Sequence, residues 1–222
     1  MFPRKRLTIL CGHYGSGKTN VAVNIAAELK KSCDTVTVAD LDIVNPYFRT
    51  KDSQDFFAEQ GIRLICSPYA NSNVDIPALP QEMYAITDDR SMTAVLDIGG
   101  DDRGALVLGR LAPKILAEGD YEMLMVINCY RPLTRDAAST LEVMGEIEYA
   151  GGIRFTGLVN NSNLGAATTP ADILASQGYA EEVSRLSGLP LVMTSVRQDL
   201  YPAVEGKVPH AFPLGLQKNK YL

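Results

Sequence analysis

The sequence predicts an α/β fold of three layers, in which helices cover both faces of a mostly parallel sheet of about seven strands. Short apolar runs alternate with longer segments of helical period, which is the pattern of parallel strands joined by crossover helices. Several runs are apolar nearly throughout, as in strands covered on both faces. The 222 residues are 46% hydrophobic, which is enough for a sizeable core without disulfides or metals. We therefore expect one domain over residues 1–222, with a partly ordered tail at about 204–222.

This alternation sets where each element is expected. The strands are placed at 6–11, 35–39, 62–66, 93–98, 121–127, 153–159 and 190–194. The helices are placed at 18–31, 51–60, 80–87, 104–117, 134–150 and 171–187. The first helix is the clearest, because Val21, Ile25 and Leu29 recur every four residues along one stripe. Residues 67–79 are predicted to form the longest irregular segment, and a loop of that length in a compact domain is often functional.

Charge and hydropathy exclude several classes of protein. The chain carries 21 Lys and Arg against 26 Asp and Glu, a net charge of −5. Nucleic-acid binding needs clustered basic residues, so no nucleic-acid partner is expected. No apolar run approaches the ~18 residues of a membrane span, so no membrane association is expected. The apolar stretch behind the basic residues 1–6 is shorter than the ~7–15 residues of a signal peptide, which favours a cytoplasmic location.

Cysteine and histidine usage argues against a metal or disulfide framework. Cys11, Cys33, Cys66 and Cys129 stand far apart, without a C-x-x-C pair. In a chain with no export signal this spacing favours reduced core residues over disulfides or a zinc site. Two histidines are too few for a His-rich metal site.

Residues 12–19 read GHYGSGKT and fit the pattern G-x-x-x-x-G-K-[ST] at every fixed position. The motif follows a predicted strand and opens the clearest helix, which is the context that a phosphate-binding loop requires. Its glycines let backbone N–H groups point at phosphate oxygens, Lys18 brings a charge to the β- and γ-phosphates, and the Thr19 hydroxyl ligates Mg²⁺. The alternative is a glycine-rich turn without a ligand. The predicted nucleotide-contacting residues of this loop are Gly12, His13, Tyr14, Gly15, Ser16, Gly17, Lys18 and Thr19.

Carboxylates follow two of the predicted strands. Asp40 and Asp42 end the second strand, and Asp97 ends the fourth, three residues before Gly100. Ligand chemistry in open α/β sheets lies at the carboxyl ends of strands, so these side chains should face the phosphate loop. Asp97 is placed to organise Mg²⁺, and Gly100 allows the backbone to approach a γ-phosphate. Solvated aspartates in a turn, or a helix cap at Asp97, are the alternatives.

Together these motifs resemble the MinD/ParA group of P-loop ATPases, the SIMIBI class with the CobQ/CobB/MinD/ParA nucleotide-binding domain, and in particular an ATP-binding bacterial branch of it. The likeness covers most of the chain. It implies Mg·ATP as ligand, with Lys18 as phosphate and catalytic residue and Thr19 on the metal. It further implies that Asp40 and Asp97 support Mg²⁺ through water, and that Asp42 positions the attacking water.

The same resemblance suggests how the base is held and where the chain departs from the group. Asn160, with Asn161 as the alternative, lies where these proteins offer an asparagine to adenine; a plain turn after a strand is the other interpretation. The group's signature lysine, which reaches the phosphates of a partner subunit, is His13 here. Arg49 or Arg103 could replace its charge, so a nucleotide-dependent homodimer is left open. ATP is favoured over GTP because the Asn-Lys-x-Asp signature of guanine-specific proteins is missing.

The resulting hypothesis is an ATPase switch, slow without its protein partner, with maturation of a cofactor or metal site as one role for it. The alternative is an ATP-dependent small-molecule kinase or ligase of the dethiobiotin-synthetase type. In that case the loop at 67–79 would line an acceptor pocket with Tyr69, Asn71, Asn73 and Asp75. A third hypothesis is a sensor that binds ATP without turnover.

Overall fold

The computed structural model describes residues 5–42, 54–66, 81–100 and 102–215, and eight parallel strands within them form one sheet. The order across the sheet is β3-β2-β4-β1-β5-β6-β7-β8. The strands are β1 (Leu7–Cys11), β2 (Val36–Leu41), β3 (Arg63–Cys66), β4 (Thr93–Ile98), β5 (Tyr121–Ile127), β6 (Gly157–Asn160), β7 (Leu191–Arg197) and β8 (Ala211–Leu214). Because every pair is parallel, all the carboxyl ends meet at one edge of the sheet.

Helices cover both faces of this sheet. They are α1 (Lys18–Lys30), α2 (Gln54–Glu59), α3 (Gln81–Asp88), α4 (Asp102–Glu118), α5 (Ala137–Gly151), α6 (Pro170–Ser187) and α7 (Tyr201–Val204). Side chains alternate along β1, so that Leu7 and Ile9 enter the core under α3 to α6 while Leu10 enters the core under α1 and α2. This arrangement confirms the predicted three-layer α/β fold. None of the helices among the described residues is long and apolar enough to cross a membrane.

The sheet has one strand more than the sequence predicts. β8 lies inside the segment at 204–222 for which partial order is expected, and Pro213 lies within it. Proline argues against a strand except at a sheet edge, which is where β8 lies. Just beyond it, the Gly215 N–H donates to Asn24 Oδ1 at 2.8 Å, and Asn24 Nδ2 donates to the Gly215 carbonyl at 3.0 Å. The end of the described chain is thereby joined to α1.

Several element boundaries also differ from those predicted, by up to four residues, and α7 is not among the predicted helices. The starts of β6 and α5 are two whose physical reason is visible. The strand expected at 153–159 is β6, which begins only at residue 157, although Ile153 and Phe155 ahead of it are buried. The alternating apolar residues at 153 and 155 are buried in the core, but the pairing of β6 with β5 begins only at Gly157. The helix expected from 134 is α5, which begins at residue 137 because the Asp136 carboxylate accepts from the Ser139 N–H at 2.9 Å and caps it.

A buried ion pair closes the opposite edge of the sheet, away from the strand carboxyl ends. Arg6 and Glu118 pair there, and Arg6 Nη1 also donates to the carbonyls of Ile86 at 2.9 Å and Met92 at 3.0 Å. The hydrogen bond from Arg6 lowers the pKa of the Glu118 carboxyl below its ordinary 4.5. A carboxyl whose pKa is lowered on folding stabilises the protein above its ordinary pKa, and that stabilisation is lost as the pH falls.

We expect Glu118→Ala to lower the free energy of unfolding by about 2 to 3 kcal/mol at pH 7, which is the range for hydrogen bonds to charged groups. The loss should shrink as the pH falls from 4.5, the ordinary pKa that applies to the unfolded chain, through the lower pKa of the folded carboxyl. Urea unfolding at pH 7 and pH 3.5 measures both effects. Asp88→Ala is the control, because the Asp88–Lys114 pair is more than half exposed and should contribute little. Equal losses for the two variants would contradict the assignment.

Candidate functional site

The phosphate loop, residues 12–19, joins β1 to α1 at the carboxyl edge of the sheet. Gly15 and Gly17 have φ of 77° and 87°, in the left-handed region that favours glycine. Gly17 is also the N-cap of α1, and no side chain caps that helix. The first N–H groups of a thirteen-residue helix therefore point out of the loop, where they can bind an anion.

Glycines in and around the loop are required by close backbone approach. A Cβ on Gly12 would lie 2.4 Å from the Val126 carbonyl oxygen of β5. A Cβ on Gly100, beyond β4, would lie 1.8 Å from the Gly12 carbonyl oxygen. The phosphate loop thus packs closely between β5 on one side and the turn after β4 on the other. Gly100 therefore lies against the backbone of the phosphate loop, and its approach to a γ-phosphate stays a prediction.

Lys18 and Asp42 form an ion pair within the site. Lys18 Nζ lies 3.7 Å from Asp42 Oδ2, and the two side chains are 5% and 11% exposed. Asp42 is held by its own backbone, since its N–H donates to Asp40 Oδ1 at 3.1 Å. The Asp42 carboxylate, directly after β2, therefore faces the phosphate-loop lysine, as its position at the strand end predicts.

Thr19 and Asp97 supply the oxygen donors expected of a magnesium site. Thr19 Oγ1 donates to Asp97 Oδ2 at 2.6 Å, and Asp97 is fully buried. Asp40 lies beside Asp97 in the register of β2 on β4. Within the described ranges, no three His, Cys, Asp or Glu side chains cluster as a metal cage. Mg²⁺ commonly takes one or two protein oxygens and completes its shell with phosphates and water, so these residues fit that ion.

Ser16 adds an observation from inside the loop. Its Oγ is buried, and no described residue hydrogen-bonds to it. A buried hydroxyl without a partner is costly unless a ligand or water completes it. The Ser16 Oγ lies near Gly12, 3.2 Å from a Cβ built there, and Ser16 does not line the cavity that opens beside the loop.

A cavity of about 440 Å³ opens beside the loop, within the range for small-molecule sites. Its phosphate-loop wall includes Tyr14, Gly15, Gly17, Lys18, Thr19 and Asn20, with Asp42 opposite. The far walls come from the ends of β5 to β8 and the segments after them: Arg131, Asn161, Ser162, Asn163, Gly165, Thr168, Ile173, Ser195, Arg197 and Leu214. One cavity thus extends from the phosphate loop to the carboxyl ends of β5 to β8.

The two asparagines after β6 point to different places. Asn160 is fully buried, where its Nδ2 donates to Ser176 Oγ at 3.0 Å and its Oδ1 accepts from the Ser162 N–H. Asn161 lines the cavity, and its Nδ2 donates to the Ser16 carbonyl at 2.6 Å while its Oδ1 accepts from Ser195 Oγ at 2.5 Å. Of the two candidates named from the sequence, the structure brings Asn161 to the cavity and holds Asn160 behind it.

His13 and Tyr14 lie at the lip of the phosphate loop. Tyr14 is 60% exposed and lines the cavity, while His13 Nδ1 lies 3.0 Å from the Tyr14 carbonyl oxygen. Arg49 and the side chain of Arg103, the candidates for a replacement charge, are outside the described residues. The loop at 67–79, with its candidate acceptor-pocket residues, is outside them as well.

Sequence reasoning missed several lining residues. Arg131 follows β5, Ser195 and Arg197 lie in β7, and Leu214 ends β8. The rule that ligands bind at strand carboxyl ends applies to all of these strands, so it could have identified the first three. Cys11 is no reactive group here, because burial raises the pKa of its thiol to about 12, and no disulfide joins the four cysteines.

No protein-family model matches the chain, and no curated protein does. Solved structures of FtsY do match its fold. FtsY of Mycoplasma mycoides is 16% identical over 88% of this chain and 61% of its own, with a TM-score of 0.54. FtsY of Thermotoga maritima is 17% identical over 88% of this chain and 63% of its own, with a TM-score of 0.55. The signal recognition particle receptor FtsY of Elizabethkingia anophelis, in complex with GDP, is 14% identical. The match covers 88% of this chain and 58% of that FtsY chain, with a TM-score of 0.54.

This likeness and the sheet define the fold as that of α/β P-loop NTPases, as the sequence predicts. The chain spans about three-fifths of the length of these FtsY structures. At 14 to 17% identity these structures show the fold alone, and they do not single out the MinD/ParA group. The narrower assignment, with ATP as its nucleotide, belongs to the proposal below.

Proposed function

We propose that the chain binds a magnesium nucleoside triphosphate, hydrolyses it, and acts as a switch on a protein partner. The observation that carries this proposal is the uncapped N-terminus of α1, which opens with Lys18 and Thr19 into the 440 Å³ cavity. Backbone N–H groups, a lysine and a threonine on one wall form a site for a phosphate chain.

The reaction follows from the placement of these groups. Water attacks the γ-phosphorus, the bond to the β-γ bridging oxygen breaks, and the products are the diphosphate and inorganic phosphate, which takes the water's proton. Lys18 stabilises charge on the β- and γ-oxygens, and Asp42 accepts a hydrogen bond from the water and orients it. Thr19, Asp97 and Asp40 would hold Mg²⁺, directly or through water. That ion, when bound, neutralises the phosphate charge.

Adenine is the proposed base. Asn161 and Ser195 line the cavity and are hydrogen-bonded to each other, and Asn160 positions the turn that carries Asn161. The chain lacks the Asn-Lys-x-Asp signature, which supports ATP. The FtsY structure with GDP makes guanine the competitor to exclude. Competition of unlabelled ATP and GTP for the site measures the preference directly.

The role as a switch requires a partner that contacts the nucleotide edge. Tyr14 is largely exposed at that edge and His13 lies beside it, so bound nucleotide and a docked protein would meet there. A second copy of this chain is one such partner. Loading a cofactor or metal onto a target protein is the role we propose for the switch.

The test is phosphate release from Mg·ATP at several protein concentrations, with Lys18→Ala as the blank. Release above the blank supports hydrolysis, and a rise in activity per molecule with concentration supports a catalytic homodimer. Release that is absent alone but triggered by one small molecule would favour the kinase or ligase alternative. Tight ATP binding without release under any condition would overturn the hydrolytic part of the proposal.

Asp42→Ala is expected to keep nucleotide binding and to lose turnover by roughly 100-fold or more, the range for a group that handles the reacting proton. Binding is retained because removal of Asp42 frees Lys18 from its ion pair. Calorimetry and phosphate release separate the two effects. The control is Asp120→Ala, since Asp120 pairs with Lys5 at the far edge of the sheet. Hydrolysis by Asp42→Ala at the wild-type rate would remove Asp42 from the mechanism.

A further inference from the structure

We propose that Arg131 binds the phosphates of the nucleotide directly, as a positive charge supplied by the same chain. This inference rests on the proposed nucleotide binding and adds a phosphate-contacting residue that the sequence motifs do not contain. The loop after β5, which carries Arg131, would then contact the phosphates of the bound nucleotide.

The first observation is the contact between Arg131 and the phosphate loop. Arg131 Nε donates to the Gly15 carbonyl oxygen at 2.8 Å. A Cβ built on Gly15 would lie 3.4 Å from the same nitrogen. Arg131 also lines the cavity together with Lys18. The guanidinium is therefore held against the middle of the loop that would enclose the phosphates.

The second observation is the rigid support beneath Arg131. Asn128 is fully buried, and its Oδ1 accepts from the N–H groups of Tyr130 at 3.0 Å and Asn163 at 3.3 Å. The Asn128 carbonyl accepts from Thr134 Oγ1 at 2.8 Å and from the Arg131 N–H at 3.2 Å. A backbone fixed in this way loses little conformational entropy when its side chain engages a ligand.

The third observation concerns charge. Lys18, Arg131 and Arg197 are the cations that line the cavity. Lys18 faces Asp42, and Arg197 pairs with Asp199 at 2.5 Å while it also donates to two backbone carbonyls. Across the part of the chain that the structure describes, no carboxylate lies within 4.0 Å of the Arg131 guanidinium.

The chemistry of the group selects its ligand. A guanidinium has five N–H donors, and among the described residues only Gly15 accepts one from the Arg131 side chain. The remaining donors form a planar fork that matches phosphate oxygens in a bidentate manner. The Arg131 guanidinium lies at the phosphate loop without a carboxylate of the described residues beside it, so its free N–H donors can bind the phosphate chain of the nucleotide rather than the base.

The experiment compares Arg131→Ala, Arg131→Gln and Arg131→Lys with the wild type by calorimetric titration of Mg·ATP at several KCl concentrations. We expect Ala and Gln to weaken the Kd roughly 10- to 100-fold, the range for a charge-assisted hydrogen bond. Lys should recover part of that loss. Because screening by salt acts on a direct charge–phosphate contact, Ala and Gln should also flatten the dependence of Kd on KCl.

The matched control is Arg135→Ala, because Arg135 is an exposed arginine of the same loop that pairs with Asp136 and does not line the cavity. Thermal melts show that each variant is folded. Wild-type affinity in Gln with a loss only in Ala would overturn the proposal, because a neutral donor to Gly15 would then suffice. Unchanged affinity and salt dependence in all three variants would overturn it too. Absence of ATP binding by the wild type would instead refute the nucleotide site itself.

Discussion

Lys18→Ala is expected to abolish tight nucleotide binding, with a rise in the Kd for Mg·ATP of roughly 100-fold or more. Two effects act in the same direction. The variant loses a nearly buried ammonium that would contact the phosphates, and it leaves the Asp42 carboxylate without that cation in a site that must accept an anion. Titration calorimetry with Mg·ATP measures the loss.

A double variant separates these two effects. If repulsion from Asp42 contributes, Lys18→Ala combined with Asp42→Ala should bind ATP more tightly than Lys18→Ala alone. Lys30→Ala is the control, because Lys30 lies at the exposed end of the same helix and donates to the Asp34 carbonyl. An unchanged Kd for Lys18→Ala would refute the assignment of residues 12–19 as a phosphate-binding loop.

Gly100→Ala is expected to lower the free energy of unfolding by about 3 kcal/mol, the upper part of the range for overpacked sites. The added Cβ would lie 1.8 Å from the Gly12 carbonyl oxygen and 3.0 Å from His13 Cα, and both atoms belong to the backbone of the phosphate loop. Neither can rotate away as a side chain would, so the loop itself must shift. Urea unfolding should show the destabilisation, and calorimetry should show weaker ATP binding.

Gly178→Ala is the matched control for that experiment. Gly178 lies in α6, an added Cβ there meets no atom within 4 Å, and its backbone needs no left-handed conformation. Alanine should stabilise this position by up to about 1 kcal/mol through helix propensity. If both glycine variants were equally stable, the close approach of Gly100 to the phosphate loop would have no energetic consequence.

The parts of the site that the sequence could predict are those set by local chemistry. Residues 12–19 carry their own turn-forming glycines and open the most regular helix. Asp40, Asp42 and Asp97 end apolar runs, and parallel pairing brings such ends to one edge. These features follow from the spacing of the motif, the helical period after it and the positions of the carboxylates at the ends of apolar runs. The same reasoning predicted the three-layer fold that the FtsY likeness confirms.

The remaining features depend on packing between segments that are distant in the chain. β8 is short, contains Pro213 and, among the described strands, pairs only with β7, at the edge of the sheet. The choice between Asn160 and Asn161 depends on which of two adjacent side chains meets Ser176 and which meets the phosphate loop. Arg131 lies 116 residues from the carbonyl it contacts. No local pattern encodes a contact of that range.

The bond between Gly215 and Asn24 has a consequence for the order of events during synthesis. The phosphate loop is translated first, yet one wall of the cavity is Leu214, and the segment that carries it docks on α1 through Gly215. A ribosome-bound chain that has not reached this point lacks the last strand and that wall. The complete cavity, with Leu214 in its wall, therefore forms only after β8 has been translated.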